Sequence, residues 1–492
     1  MLNSYYEIEQ DGRKYFGNVS LKEFHLFQQD GEHYLFNVAT MTPYRVSEPV
    51  ARLVEKAAYS YGGGLLTGQV MDELKKLDLV VGIDHPLTPS TVAPKSDADK
   101  AKPAEGAAAT RYGIGNIALF VAQQCNMACV YCYGQGGEYA DKGMMNAETA
   151  FKSVDWLMEN SGDIESVNIG FFGGEPMMNF PLIKKVVGYA KQEAEKRGKK
   201  VTFGMTTNAS LLSDQRIAFM QEENIHPLIS IDGTPEIQNR QRPFKNGKDS
   251  YDKTYANIQR LKQVFPHVMA RATLHGDTDP AEVRAGLEQA GFESFVIKKA
   301  SRVILDNLPV EEVLCQDQGE PMIAMEKNMA HDLLRDIKAR NVGKEATNST
   351  VGFFVGQLIS SDKRHYYCGV GRGMVAITTA GDIYPCHRFA GQEDMKLGNI
   401  DSYKVGGIND YHRAIVDNLP ECKRCWARYA CGGGCFYESK AARGDVHLPD
   451  RSFCQEIKTL VEMAIPLYLQ LDDEDKLYVK DSLKRELEEQ IP

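Results

Sequence analysis

Residues Cys125 to Cys132 read C-N-M-A-C-V-Y-C, three thiols on eight residues with gaps of three and two. Iron–sulfur clusters are held by cysteine thiolates on short loops of this kind. A loop this short can curl around one face of a cubane and reach three of its irons. It supplies no fourth cysteine, so one iron is left for another ligand. An open coordination position is how a metal site reaches substrate, a rule stated for zinc and applied here by analogy. On spacing alone, three buried thiols or a zinc knuckle remain open.

The remaining composition narrows the choices. A chain of 492 residues exceeds one ordinary domain, and three or so are expected. A content of 43% hydrophobic and 25% charged residues is that of a globular protein, and the net charge of −10 argues against a nucleic-acid binder with a broad basic face. Met1-Leu2-Asn3-Ser4-Tyr5 has no basic region followed by an apolar run, so no signal peptide is read. No apolar stretch approaches the length that spans a bilayer, and a cytoplasmic protein without membrane contact is expected. In such a compartment, eleven cysteines point to metal rather than disulfides. Ten of them fall at 125–132 and 368–454, the clustering that ligand sets need.

In chain order, residues 1–84 read as a small separate domain. Alternation at Glu23–Phe27 and His33–Val38 predicts a hairpin across Asp30-Gly31. A helix starts at Ser47, a second runs from Gln69 to Leu77, and Leu79-Val80-Val81 is strand-like, which together make a winged-helix-like unit. Residues 85–111, with Pro86, Pro89, Pro94 and Pro103 and little to bury, read as a flexible linker. From 112 to 305, β-rich runs (Ile117–Val121, Val167–Phe172, Val201–Thr206, Leu228–Ile231, Met269–Leu274, Phe295–Ile297) alternate with amphipathic stretches (Ala147–Met158, Leu182–Lys196, Ser213–Glu222, Tyr251–Val264, Pro280–Gly291). Such repetition implies an α/β fold with a parallel sheet and right-handed crossovers. Polar or glycine-rich residues close each of the first five runs: Cys125, Gly173–Pro176, Thr207-Asn208, Asp232-Gly233 and His275-Gly276. Residues 306–367 read as a bridging helical region, 368–455 as a cysteine-rich domain and 456–492 as a C-terminal helix with a solvated charged end.

The triad with Tyr131, followed by Gly173-Gly174-Glu175-Pro176, resembles the cluster and "GGEP" motifs of the radical S-adenosylmethionine (radical SAM) superfamily. The resemblance implies a partial (β/α)6 TIM barrel whose catalytic cluster is held by Cys125, Cys129 and Cys132. It implies that Gly173, Gly174, Glu175 and Pro176 receive the ammonium of S-adenosylmethionine. Asn208 and Ser230 would contact its ribose, and Arg271 would pair with its carboxylate. Tyr131 would lie near its adenine, largely through backbone. The cluster's electron would then cleave the sulfonium and start radical chemistry on a substrate.

The second cysteine set runs C-x12-G381-x4-C over Cys368 and Cys386, then C-x2-C-x5-C-x3-C over Cys422, Cys425, Cys431 and Cys435, then Cys454. Taken alone, the C-x2-C pair could bind structural zinc. All seven cysteines at these spacings resemble the SPASM extension, which implies two auxiliary 4Fe–4S clusters and three clusters in total. Cys422, Cys425, Cys431 and Cys454 would hold one; Cys368, Cys386 and Cys435 would hold three irons of the other. Some relatives place an eighth cysteine soon after the first, and Gly369 to Thr379 contains none. The open iron could then bind a substrate thiolate. Cys315 could be the missing ligand, and a core cysteine is the plainer reading. His387 and His365 read as packing groups, and Gly62–Gly64 and Gly134–Gly137 as loops.

With an N-terminal domain and a linker, the sequence resembles maturases of ribosomally made peptides, in particular thioether-forming ranthipeptide and sactipeptide enzymes. This implies a leader bound by the N-terminal domain as an added strand, a cysteine-containing core as substrate, and an external one-electron reductant such as flavodoxin or ferredoxin. Carbon–carbon crosslinking, epimerising or formylglycine-generating chemistry is the alternative among enzymes. A non-catalytic iron–sulfur or zinc module is the alternative outside them.

Overall fold

The computed structural model describes residues 2–10, 13–59, 65–66, 68–84, 113–301, 319–341, 349–403 and 410–490. The linker expected over 85–111 and Cys315 lie outside these residues.

The chain opens with a hairpin that the sequence reading did not anticipate, β1 (Leu2–Gln10) and β2 (Arg13–Leu21). The expected hairpin follows as β3 (Phe24–Gln29) and β4 (Glu32–Asn37). Its turn residues Asp30 and Gly31 have φ of 51° and 81°, the left-handed pair that a two-residue hairpin turn requires. Then come β5 (Thr42–Val46), α1 (Glu48–Tyr59), β6 (Leu65–Leu66), α2 (Gly68–Lys76) and β7 (Val80–Asp84). The strands form two sheets, ordered β6-β1-β2-β7 and β3-β4-β5.

The central region alternates strand and helix as its patterning implies. Its elements are β8 (Asn116–Gln123), the short β9 (Gly143–Met144), α3 (Ala147–Asn160), β10 (Ser166–Gly173), α4 (Phe180–Lys196) and β11 (Lys200–Thr207). They continue with α5 (Asp214–Glu222), β12 (Ile225–Ser230), α6 (Pro235–Gln241), α7 (Tyr251–Lys262), β13 (Met269–Leu274), α8 (Pro280–Gln289) and β14 (Phe295–Lys299). Asn146, Ser213, Thr234 and Asp279 cap α3, α5, α6 and α8 by accepting from backbone N–H groups of the first turn. Strands β8, β10, β11, β12, β13 and β14 are parallel neighbours in that order.

Parallel strands covered by helices on both faces read as unbroken apolar runs. Here the burial alternates. Val167, Ile169, Phe171, Phe203, Met205, Ala270, Ala272 and Phe295 pack into the helix-covered core. The intervening Gly170, Gly204, Thr206, Ser230, Arg271, Thr273 and Lys298 are less buried and share the opposite face. On the middle strands that face carries mainly polar groups and glycine, while on β8 and β10 Phe120 and Phe172 pack there, Phe120 also against Tyr139.

Beyond it lie α9 (Gly319–Lys338) and α10 (Thr350–Ser360). Then β15 (Met374–Ile377) runs parallel to β8, with Ala376 beside Ala118, and β16 (Asp382–Tyr384) and β17 (Gly398–Asn399) extend the same sheet. The chain ends in α11 (Phe436–Arg443), α12 (Arg451–Leu469) and α13 (Asp473–Gln490). The single C-terminal helix expected over 456–492 is therefore two helices. Asp472 accepts from the N–H of Asp475 and so starts a new helix there. Nor is that helix solvated all round, because Asp475 (2% exposed) and Val479 (3%) are buried.

The N-terminal sheet is not freestanding. On β4, Leu35 turns towards the core of α1 and α2, while its neighbours Tyr34 and Phe36 enter a cluster with Leu333, Phe354, Leu460 and Val461. His25 stacks on Trp426, ring centroids 3.8 Å apart, and its Nε2 lies 2.7 Å from Glu462. Arg428 pairs with Glu23. No helix is long and apolar enough to cross a membrane among the described residues.

Candidate functional site

The thiols of Cys125, Cys129 and Cys132 sit on the loop that leaves β8. Hydrogen bonds from Ala128 N to Pro243 O and from Val130 N to Gln241 O, 2.8 and 2.9 Å, tie this loop to the end of α6. The Tyr131 hydroxyl donates to Asp232 at 2.6 Å and accepts from Arg242 at 2.5 Å. Asp232, fully buried, also accepts from Gln241 Nε2 and from the N–H of Thr273, both at 3.0 Å. Asp232, Gln241 and Arg242 were not picked out from sequence, although Asp232-Gly233 marks the end of β12. Burial, opposed by Arg242, pushes the carboxyl of Asp232 up.

Gly173 and Gly174 are dictated by close packing. A Cβ on Gly173 (φ +131°) would lie 2.0 Å from the Ala122 carbonyl oxygen, and one on Gly174 would lie 2.2 Å from that of Gln124. No other residue lets the end of β10 lie this close to β8. Glu175 is expected to face an ammonium. In the structure its carboxylate is wholly buried and accepts from Thr207 Oγ1 (2.7 Å), Asn208 N (2.8 Å) and Met177 N (3.1 Å). It braces the rim from within, and the neighbouring Gly173 carbonyl accepts from the Tyr139 hydroxyl at 3.5 Å. Pro176 opens the short turn Pro176–Asn179. Asn208 Nδ2 lies 3.8 Å from Cys125 Sγ and donates to Asn126 at 3.0 Å. Ser230 and Arg271 are ladder neighbours on the polar face. Burial lowers the Arg271 guanidinium from its usual range, and it has no hydrogen-bond or ion-pair partner among the described residues.

The seven later cysteines separate into two sets. Cys422, Cys425, Cys431 and Cys454 line one cavity of about 280 Å³. Burial, reinforced by neighbouring thiols, pushes Cys422 up to about 12 and Cys454 to about 11. Cys386 is buried at the start of the short turn that follows β16, and its electrostatic neighbours are Cys435 and Cys368. Arg388 lies 3.3 Å from Cys435 Sγ and pairs with Glu438 at 2.9 Å. The sets meet at Gly432-Gly433-Gly434, with φ of 80°, 103° and 85° between Cys431 and Cys435. Tyr367 lies between them, its phenol pushed up to about 12 by burial and by Cys435, Cys431 and Cys368.

The ten described cysteines are free. Among the described residues no three Cys, His, Asp or Glu side chains are arranged to hold a metal ion. Four thiols spread around a space of this size instead suit a polynuclear cluster, whose irons each take one thiolate. His387 packs 4.5 Å from Phe172, and burial, with Arg388 and Arg271 nearby, drives it down to about 3. His365 lies 3.4 Å from Asp417.

Residues 119–287 match the Radical SAM superfamily, and residues 368–426 match SPASM, described as an iron–sulfur cluster-binding domain. These two domains indicate S-adenosylmethionine and 4Fe–4S clusters as cofactors. An uncharacterized protein of Methanocaldococcus jannaschii is 35% identical over 150 residues, which span 30% of this chain and 49% of that protein. A serine-type anaerobic sulfatase-maturating enzyme of Bacteroides thetaiotaomicron is 26% identical, covering 64% of this chain and 80% of that enzyme. Among solved structures, "Native anSMEcpe with bound AdoMet and Kp18Cys peptide" shares the fold, with a TM-score of 0.59 at 19% identity over 72% of this chain and 98% of that one.

Proposed function

We propose that this protein is a radical SAM–SPASM enzyme that modifies a ribosomally made precursor peptide by joining a cysteine sulfur to a carbon of another residue. The observation that carries the proposal is the division of the later thiols into a set of four around one cavity and a set of three. The first set closes a cluster by itself. The second lacks a fourth thiol among the described residues, and a substrate cysteine is a donor of the right kind for the position left over. We read the six parallel strands as the partial (β/α)6 barrel, with Cys125, Cys129 and Cys132 holding the cluster that engages the cofactor.

When bound, the clusters and S-adenosylmethionine supply one-electron chemistry: a hydrogen atom leaves a carbon of the peptide, and a proton and an electron leave the thiol as the sulfur–carbon bond forms. The chain's own groups bind and orient. Backbone carbonyls at Gly173 and Gly174 would receive the cofactor ammonium, Asn208 and Ser230 would hold its ribose, and Arg271 would pair with its carboxylate. The Tyr131–Asp232–Arg242 network ties down the cysteine loop and would hold a bound cluster in place. Among the described residues no further strand pairs with β3 or β5, and such an edge suits a leader peptide added as a further strand.

Anaerobic reconstitution followed by incubation with S-adenosylmethionine, dithionite and a candidate cysteine-containing precursor peptide tests this reading. The expected product is a peptide lighter by two hydrogens, and short of one alkylatable thiol, per crosslink. The sulfatase-maturating relative favours a second reading, formylglycine generation. It would appear as an aldehyde that reacts with a hydrazide.

A further inference from the structure

Arg388 sits two residues beyond Cys386, in the short turn His387–Phe389 that follows β16, and its side chain is 16% exposed. Its Nη1 donates to Cys435 Sγ at 3.3 Å and pairs with Glu438 at 2.9 Å, while Nη2 donates to Ser301 Oγ just past β14. The guanidinium carbon lies 4.9 Å from the ring centre of Tyr437 and 5.7 Å from that of Tyr133, the residue after Cys132. One planar fork thus reaches a thiol of the three-membered set, the segment past β14 and the first cysteine loop. A lysine offers no such fork.

This donor suits an anionic sulfur. A guanidinium aimed at a neutral thiol gains little, whereas a cluster ligand is a thiolate and accepts a charge-assisted bond. Cys386 has Cys435 and Cys368 as its electrostatic neighbours, and three such thiols suit three irons of one cluster. The first loop differs, because Cys125 has neutral donors, Met127 N at 3.4 Å and Asn208 Nδ2 at 3.8 Å. Reduction adds one negative charge to a cluster. A cation bonded to one of its sulfurs favours the reduced form and raises the potential, and a nearby carboxylate opposes this. Arg388 and Glu438 therefore pull in opposite directions on the same thiol set.

We infer that Arg388 is a positioning residue that raises the reduction potential of the cluster held by Cys368, Cys386 and Cys435, acting through its bond to Cys435. The inference rests on the cluster assignment in the reading above and adds a role to it. When the sulfur–carbon bond forms, the carbon has already given up its hydrogen atom, the thiol proton passes to solvent, and one electron is left over. That electron is accepted at this cluster, which is reduced by one, and the guanidinium stabilises the charge gained.

The test is an anaerobic redox titration of full-length reconstituted protein, followed by electron paramagnetic resonance, on wild type, Arg388→Gln, Arg388→Lys and Glu438→Gln. Signals missing from Cys368→Ala and from Cys454→Ala identify the three-thiol and four-thiol clusters. We expect Arg388→Gln to cut the ratio of reduced to oxidised three-thiol cluster at a fixed potential by about tenfold, a downward shift of about 59 mV for a one-electron couple. Arg388→Lys, which keeps the charge and loses the fork, should shift it less, and Glu438→Gln should shift it upward. The midpoint of the four-thiol cluster should hold. An unchanged three-thiol midpoint in Arg388→Gln would overturn the inference, and so would an equal shift of both clusters, which marks a general loosening. If Arg388→Gln retains too little iron to titrate, Glu438→Gln decides, and the absence of its upward shift would overturn the inference. Absence of any Cys368-dependent signal from wild type would overturn it together with the cluster assignment. A precursor left unmodified by wild type, with the Arg388-dependent midpoint intact, would count against the thioether reading and not against this one.

Discussion

The backbone N–H of Asn208 donates to Oε2 of Glu175 at 2.8 Å. That bond joins the end of β11 to the end of β10 beneath the cysteine loop, and Thr207 adds a second one from the same strand. The carboxylate therefore acts as a clamp between strand ends. Replacing it in Glu175→Gln turns one acceptor into an N–H group facing other donors. We expect a stability loss of about 1–3 kcal/mol in the metal-free protein, read by urea denaturation. An unchanged midpoint would show that the clamp holds nothing.

Gly173→Ala should abolish S-adenosylmethionine binding by forcing the end of β10 away from the Ala122 carbonyl, which its Cβ would meet at 2.0 Å. Gly188→Ala is the matched control, since it sits inside α4 with nothing within 4 Å of the added carbon. That change should stabilise by about 0.5–1 kcal/mol and leave cofactor binding intact. Equal affinities in the two variants would refute the packing argument.

Cluster loading should depend on pH. Burial holds Cys422 at about 12 and Cys431 and Cys454 at about 11, so the metal-free thiols are protonated near neutrality. Iron takes thiolates, and each bond it makes releases a proton. Apparent affinity should rise between about pH 7 and 9, seen as iron retained against a fixed chelator. A flat profile would mean that the thiols ionise more readily than their burial implies.

The docking of α13 should be acid-labile. Burial raises the pKa of Asp475, but hydrogen bonds from Lys338 and Arg340 outweigh it and bring the group to about 2, against an ordinary 3.8. The sign follows from the depression: the stabilisation is complete above the ordinary value and is lost as pH falls towards 2. It amounts to about 1–2 kcal/mol. Asp475→Asn should flatten the acid limb of helix loss followed by circular dichroism. An unaltered acid limb would remove Asp475 from the account.

The sequence exposes some of this and hides the rest for physical reasons. Cysteine spacing and glycine at strand ends are local requirements, so the loop after β8 and the turn at Gly173-Gly174 could be read directly. The strand and helix runs of the central region were readable because one face of each strand repeats at a period of two. Asp232 and Arg242 escaped notice because their partner, Tyr131, is about a hundred positions away in sequence, and Gln241 because it reaches Asp232 and Thr273 only in the folded rim; no local pattern reports such contacts. The apolar run Tyr34-Leu35-Phe36 did hold a signal. A strand with one buried face alternates, and an unbroken run means both faces are covered. Here α1 and α2 cover one face and the C-terminal helices the other. The hairpin β1–β2 left no such trace.

The alignment of β15 with β8 has a consequence for electron movement. Tunnelling rates fall steeply with separation, so a relay works best when its stations do not drift. β8, which leads into the first cysteine loop, shares a ladder with β15, Ala118 beside Ala376 and Leu119 beside Ile377, and β15 pairs in turn with β16, the strand before Cys386. With clusters at the two thiol groups as proposed, this hydrogen-bonded backbone would hold their separation, and with it the path length between donor and acceptor.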